Sequence, residues 1–156
     1  MTVAMVSRNP GELPAWVEQG IAEAGIALRC RRCAGEDELV ETAADADVVW
    51  FCGPNLCVTE AALRRLPRCR AVFRSGSGLD SIPLDAAKAL GIAVHNTPES
   101  IAESVAEHAV ALLLALVRQI TVQDRRVREG RWADSEALQR WHLSRRCLGL
   151  VGYGQI

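Results

Sequence analysis

From Val3 to about His95, short apolar runs alternate with stretches whose apolar residues recur at helical spacing. That alternation predicts an α/β fold in which a parallel sheet is connected by crossover helices. The runs at residues 3–6, 26–30, 46–51, 71–74 and 92–95 are predicted strands. The third is continuously apolar from Val48 to Phe51, as expected of a strand covered on both faces. Helices are predicted at residues 13–24, 36–44, 59–66 and 83–90, and the punctuation between them agrees. Gly25 and Gly91 stand just past two helix ends, Thr59 is placed to cap a third, Pro67 stops it, and Pro83 suits a first turn. The near-regular repeat ends at Pro98, which defines a first domain of residues 1–98 and a second of residues 99–156 joined by a short hinge.

After the hinge, Ser100 with Glu103 and Ser104 with Glu107 each have the form of a capping box, one of which is expected to open a strongly apolar helix at residues 105–117. At about 13 residues this helix falls short of the roughly 20 that a membrane span needs, and it reads as a buried core helix. Residues 118–146 turn polar and arginine-rich without a core of their own, so they are expected to pack elsewhere, with Trp132 and Trp141 anchoring an arm. The last apolar run, residues 148–151, reads as a buried strand leading into Gly152-Tyr153-Gly154-Gln155-Ile156, a G-x-G-x-x turn without a third glycine.

Composition narrows the function classes. The 156 residues are 49% hydrophobic and 24% charged with a net charge of −1, the balance of a water-soluble globular protein. Without an excess of cations, nucleic acid is not expected as the partner. The first residues lack the pattern of a signal peptide, so the expected location is cytoplasmic. Cys30 and Cys33 have the spacing of zinc and redox sites, and Cys52 and Cys57 could complete a four-thiolate set. Cys52 and Cys69, however, adjoin apolar runs where small buried hydrophobes belong, so reduced structural thiols and no metal site are expected.

Two loops carry candidate chemistry. Arg74-Ser75-Gly76-Ser77-Gly78-Leu79-Asp80 follows the fourth strand directly. In an open parallel sheet ligands bind at the carboxyl ends of strands, where exposed backbone N–H groups and Arg74 could hold a carboxylate. Taken alone, such a loop is equally an ordinary β-to-α turn. The terminal G-x-G is preceded by an apolar run, the context that a dinucleotide-binding turn requires.

Taken in order, the loop at 74–80, the run Gly91 to Pro98, Val105-Ala106-Glu107 before an Ala/Leu-rich helix, Arg128 to Trp132, and residues 148–156 resemble the D-isomer-specific 2-hydroxyacid dehydrogenases. The resemblance implies a flavodoxin-like substrate domain at residues 1–98. At residues 99–156 it implies the start of a Rossmann domain for NAD or NADP, cut short, with a linking helix and a dimerisation arm. Arg74, Ser77 and Gly78 would line the substrate loop, Val105 would lie near the nicotinamide, and Gly152, Tyr153, Gly154, Gln155 and Ile156 would meet the pyrophosphate.

The implied reaction interconverts a D-2-hydroxy acid and a 2-oxo acid, with a homodimer formed through residues 100–146. The family's catalytic arginine, acid and histidine lie downstream of the glycine turn, so no catalytic residue maps onto this chain, and the 156 residues are expected to be inactive alone. His95, His108 and His142 read as structural. Pro83, where relatives often carry an acid, and Ile101, where phosphoglycerate and formate types tend to carry Asn, lean the substrate towards glyoxylate or hydroxypyruvate rather than phosphoglycerate. The alternative is a dinucleotide-sensing, corepressor-like binding protein of the same fold.

Overall fold

In a computed structural model, which describes residues 1–133 and 141–156, the five apolar runs form one sheet. Its strands are β1 (Thr2–Met5), β2 (Ala27–Cys30), β3 (Val48–Cys52), β4 (Ala71–Ser75) and β5 (Ala93–Asn96). All neighbours are parallel, in the order β2-β1-β3-β4-β5, which is the flavodoxin-like arrangement. Between them run helices α1 (Ala15–Glu23), α2 (Glu36–Ala43), α3 (Glu60–Arg64) and α4 (Leu84–Ala89). Together these elements make up the first of two compact units, Met1–Ser100.

Strand registers sort the side chains onto two faces. Ala4 pairs with Val49 and Val49 with Val72, and these residues, with Val6 and Phe51, build the main core against Leu39, Leu63 and Ala87 of α2, α3 and α4. Phe51 and Leu63 are essentially fully buried, and each such side chain stabilises the fold by about 1.5–3 kcal/mol. The opposite face carries Val48, Trp50, Ala71, Phe73 and His95, which line a hollow of about 330 Å³ beside Val17 and Ile21 of α1. Helix α1 buries none of its residues, so β3, expected to be covered on both faces, is fully covered on one.

Local chemistry explains the element ends. Thr59 Oγ1 accepts from the Ala62 N–H at 3.1 Å and caps α3. Gly91 takes φ +71° just past α4, the left-handed geometry that glycine enters without strain. Asp47 Oδ2 accepts from the Thr2 N–H at 2.7 Å and ties down the start of β1; that bond holds the Asp47 carboxyl below its usual range. At the β2 edge, Arg29 pairs with Asp45 at 2.6 Å and Arg31, just beyond, with Glu41 at 2.7 Å.

The second unit, Ile101–Ile156, departs further from expectation. Its first helix, α5, runs Glu99–Arg118 and enters from Thr97 and Pro98, so neither capping box opens it and Ser104 lies a full turn inside. Ser100 Oγ instead donates back to the Thr97 carbonyl at 2.8 Å. None of α5 is buried, which corrects the reading as a core helix: Leu112 and Leu116 remain 57% and 72% exposed. With 20 residues, including an 18-residue stretch of mean hydropathy 1.6, α5 is also long and apolar enough to cross a membrane, so length no longer argues against a span. Glu103, Glu107 and His108 still do, because ionisable groups in mid-helix are costly in hydrocarbon.

Helix α6 (Ile120–Arg128) was not signalled by the apolar pattern; Gln119 in the left-handed conformation separates it from α5. Trp141 donates its backbone N–H to the Val117 carbonyl at 2.9 Å, and the Arg146 guanidinium lies 5.6 Å from its ring centre. Trp132 is 78% exposed. Part of the expected arm, residues 134–140, lies outside the described residues.

Candidate functional site at the carboxyl end of the sheet

Strand β4 delivers Arg74 and Ser75 to the carboxyl end of the sheet, where the chain turns through Gly76 at φ +120°, a conformation that side-chain-bearing residues rarely adopt. Three hydrogen bonds from the end of β5 hold this turn. The Gly76 N–H donates to Thr97 Oγ1 at 2.9 Å, the Thr97 N–H donates to the Gly76 carbonyl at 3.1 Å, and Asn96 Nδ2 donates to the Ser77 carbonyl at 2.8 Å. Among the described residues, the N–H groups of Ser77 and Gly78 have no hydrogen-bond partner. Two consecutive unpartnered donors at the ligand-facing end of a parallel sheet can receive an oxyanion.

Arg74 sits against this turn. A Cβ on Gly78 would stand 2.6 Å from Arg74 Nη1 and 3.3 Å from Asp80 Oδ2, so glycine is what lets the guanidinium approach the backbone. Arg74 Nε is buried without a hydrogen-bond partner. The structure therefore brings Arg74, Ser77 and Gly78 together in one short loop. Asn96 and Thr97 belong with them, although the sequence signals no role for either beyond the end of an apolar run.

A second opening, of about 450 Å³, lies between the ends of β1 and β3, lined by Ser7, Arg8, Arg32, Cys33, Cys52 and Cys57, among others. Cys33 and Cys57 are buried, and burial pushes both thiols up from their ordinary range. Cys52 faces this opening half-exposed, unlike the small buried hydrophobe expected there, while Cys69 is buried. Among the described residues all six cysteines are free, and no group of three or more His, Cys, Asp or Glu could hold a metal ion. Arg32 is paired with Glu12 at 2.8 Å, and its hydrogen bond lowers the Glu12 carboxyl to about 2.

The residues expected to meet a dinucleotide belong to the second unit. Val105 is on α5 and 41% exposed. Gly152, at φ +91°, begins a turn, but residues 148–151 form no strand, and Leu148, Leu150 and Val151 are 62%, 66% and 106% exposed. The expectation of a buried strand here fails for a physical reason: the described residues of this unit hold helices and no second strand, so the backbone donors of 148–151 have nothing to pair with. Tyr153 and Ile156 are likewise exposed. His95, His108 and His142 are all exposed.

Strand order and loop position define a flavodoxin-like α/β protein that presents backbone donors at the carboxyl edge of its sheet. Residues 6–144 match the family described as D-isomer specific 2-hydroxyacid dehydrogenase, catalytic domain, and the chain belongs to that family. It is 38% identical over 120 residues to D-3-phosphoglycerate dehydrogenase of Mycobacterium tuberculosis, covering 77% of this chain and 22% of the relative. To hydroxypyruvate reductase of Thermotoga maritima it is 36% identical over 121 residues, covering 78% and 39%. Among solved structures, the NADPH-dependent glyoxylate/hydroxypyruvate reductase of Sinorhizobium meliloti superposes with a TM-score of 0.77 at 26% identity, over 99% of this chain and 47% of that one. The chain thus spans less than half the length of these relatives.

Proposed function

We propose that this chain contributes the substrate-holding part of an NAD- or NADP-dependent oxidoreductase that interconverts a small D-2-hydroxy acid and the corresponding 2-oxo acid. The observation that carries the reading is the loop after β4, where the unpartnered N–H groups of Ser77 and Gly78 adjoin the Arg74 guanidinium. A carboxylate is common to both substrate and product, and two N–H donors beside a fixed positive charge match its oxygens. Residues 1–98 are the substrate domain in this reading, and residues 99–156 belong to the dinucleotide domain.

Support for the redox chemistry comes from relatives. The names of those in M. tuberculosis, T. maritima and S. meliloti all state oxidation or reduction of such acids, and the last is called NADPH-dependent. Glyoxylate or hydroxypyruvate is the preferred substrate, on the strength of Pro83 and Ile101, with phosphoglycerate second. A nicotinamide dinucleotide would supply or accept the hydride. The residues present do not themselves form its cradle, because Gly152 to Ile156 are exposed and residues 148–151 before them form no strand. No step through the dinucleotide is therefore assigned to residues of this chain, and Val105 and the terminal turn are proposed as contributors only.

The test is a titration of the isotopically labelled chain with oxalate, a stable dicarboxylate that resembles a 2-oxo acid. The Ser77 and Gly78 amides are expected to shift most, and saturably. If they stay still while amides elsewhere move, the carboxylate reading is wrong. A homodimer through residues 100–146 and a water-soluble, cytoplasmic setting complete the proposal; the uncovered apolar side chains of α5 favour a second protein surface over hydrocarbon.

A further inference from the structure

The three hydrogen bonds from the end of β5 fix more than the position of the loop. In a trans peptide the carbonyl and the following N–H point in opposite directions. The Gly76 carbonyl is held by the Thr97 N–H at 3.1 Å, so the N–H of Ser77, on the far side of the same peptide plane, points away from Thr97. The Ser77 carbonyl is held by Asn96 Nδ2 at 2.8 Å, so the N–H of Gly78 points away from Asn96. The Gly76 N–H, which could otherwise rotate the preceding plane, is taken by Thr97 Oγ1 at 2.9 Å. Two successive peptide planes are thus anchored through their carbonyls to one short segment, and both free donors are turned to the side opposite that segment.

Resting on the carboxylate reading of this loop, we propose that Asn96 and Thr97 are positioning residues, which aim the Ser77 and Gly78 N–H groups at the substrate carboxylate without touching it. The glycine at 76 is part of the same device. Its φ of +120° is the conformation in which the carbonyl and N–H of one residue both reach Thr97, and an L side chain would resist it. Free of the clamp, the Gly76-Ser77-Gly78 backbone would sample many orientations, and each carboxylate bound would have to select the productive one. The clamp removes that cost in advance. Asn96 and Thr97 also lead directly into Pro98 and α5, so the aim of the donors is set by the very segment through which the chain leaves its first unit.

The test uses the 156-residue chain and three variants: Thr97→Val, which is nearly isosteric and loses the hydroxyl acceptor; Thr97→Ser, which keeps it; and Asn96→Ala. Oxalate affinity is read from the Ser77 and Gly78 amides, and exchange of the Gly76 amide with solvent is followed in the same samples. Thr97→Val and Asn96→Ala are each expected to weaken oxalate binding by about fivefold, the worth of one net hydrogen bond, while Thr97→Ser stays near wild type. The Gly76 amide should exchange faster in Thr97→Val and remain protected in Thr97→Ser. A loss of stability alone would not separate the two Thr97 variants in this way, and peaks from Val49 and Leu63 report whether the core stays folded. Equal oxalate affinity in all variants, with the loop amides shifting in each, overturns the clamp but leaves the carboxylate site standing. No shift of either amide in the wild-type chain overturns the carboxylate site and the clamp with it.

Discussion

Trp50 Nε1 donates to Ser75 Oγ at 2.8 Å, joining the middle of β3 to the last residue of β4 one position before the loop turns. The same indole packs obliquely on Phe73, ring centres 6.1 Å apart. Trp50→Phe keeps most of the apolar contact and removes the hydrogen bond. A loss of about 1 kcal/mol is expected in urea unfolding, with amide shifts concentrated at Gly76 to Gly78. A variant as stable as wild type, with unmoved loop amides, would show that this bond does not brace the site.

The two glycines of the loop should respond differently to alanine. At Gly76 the φ of +120° penalises any side chain, and a loss of about 1–3 kcal/mol is expected in thermal or denaturant unfolding. At Gly78 the new methyl would collide with Arg74 Nη1, the far end of a flexible side chain that can swing aside. Gly78→Ala should therefore cost less stability than Gly76→Ala and yet weaken oxalate binding by moving the cation. The reverse ranking of stabilities would contradict this account of the loop.

Stability should fall at both extremes of pH for different reasons. Glu12, lowered to about 2 by its hydrogen bond to Arg32, favours the fold above its ordinary value of 4.5, and that contribution drains away as pH falls from about 4.5 towards 2. Cys69 is shifted the other way, because burial disfavours its thiolate. Its contribution is intact below the ordinary value of 9.0 and is lost as pH rises through that value, since the unfolded chain releases the proton first. Glu12→Gln should flatten the acid limb of the stability profile and Cys69→Ala the alkaline limb. Limbs with unchanged slopes would reject both assignments.

Leu116 is 72% exposed on α5, in company with Leu112 and Val110. The chain is expected to self-associate with rising concentration, and Leu116→Glu to shift sedimentation towards the monomer. A wild-type chain that stays monomeric across the same range would refute the role of this helix in pairing.

On the proposed reading, in which the family's catalytic arginine, acid and histidine are not among these residues, the purified 156-residue chain is expected to show no NADH- or NADPH-dependent reduction of glyoxylate or hydroxypyruvate. Measurable turnover would overturn that assignment and bring His95, His108 and His142 back into consideration.

The sheet was legible because its signals are local. Apolar runs of four to six residues, Thr59 as a cap, and Gly25 and Gly91 at helix ends are all local signals, and all of them reappear in the structure. Helix α6 was hidden because Ile120 to Arg128 offers few apolar residues to carry a period. The strand expected at 148–151 was overread because hydrophobicity promises burial, whereas a strand also needs a neighbour to bond. Of the candidate site, Arg74, Ser77 and Gly78 could be picked out by their place after a strand. The Asn96 and Thr97 contacts could not, since they join positions 19 and 21 residues apart in sequence through side-chain geometry that no local pattern encodes.

The ion pairs beside β2 bear on how copies of this chain can meet. An outermost strand offers unsatisfied backbone groups to any other strand that drifts alongside. On the β2 side, the guanidinium groups of Arg29 and Arg31, held by Asp45 and Glu41, put bulky solvated charge along that border, whereas β5 reads Ala-Val-His-Asn and among the described residues carries no such ion pair. Lateral growth of the sheet into fibrils or inclusion bodies should therefore start from the β5 border, and a lysine at Ala93 would be the economical place to block it.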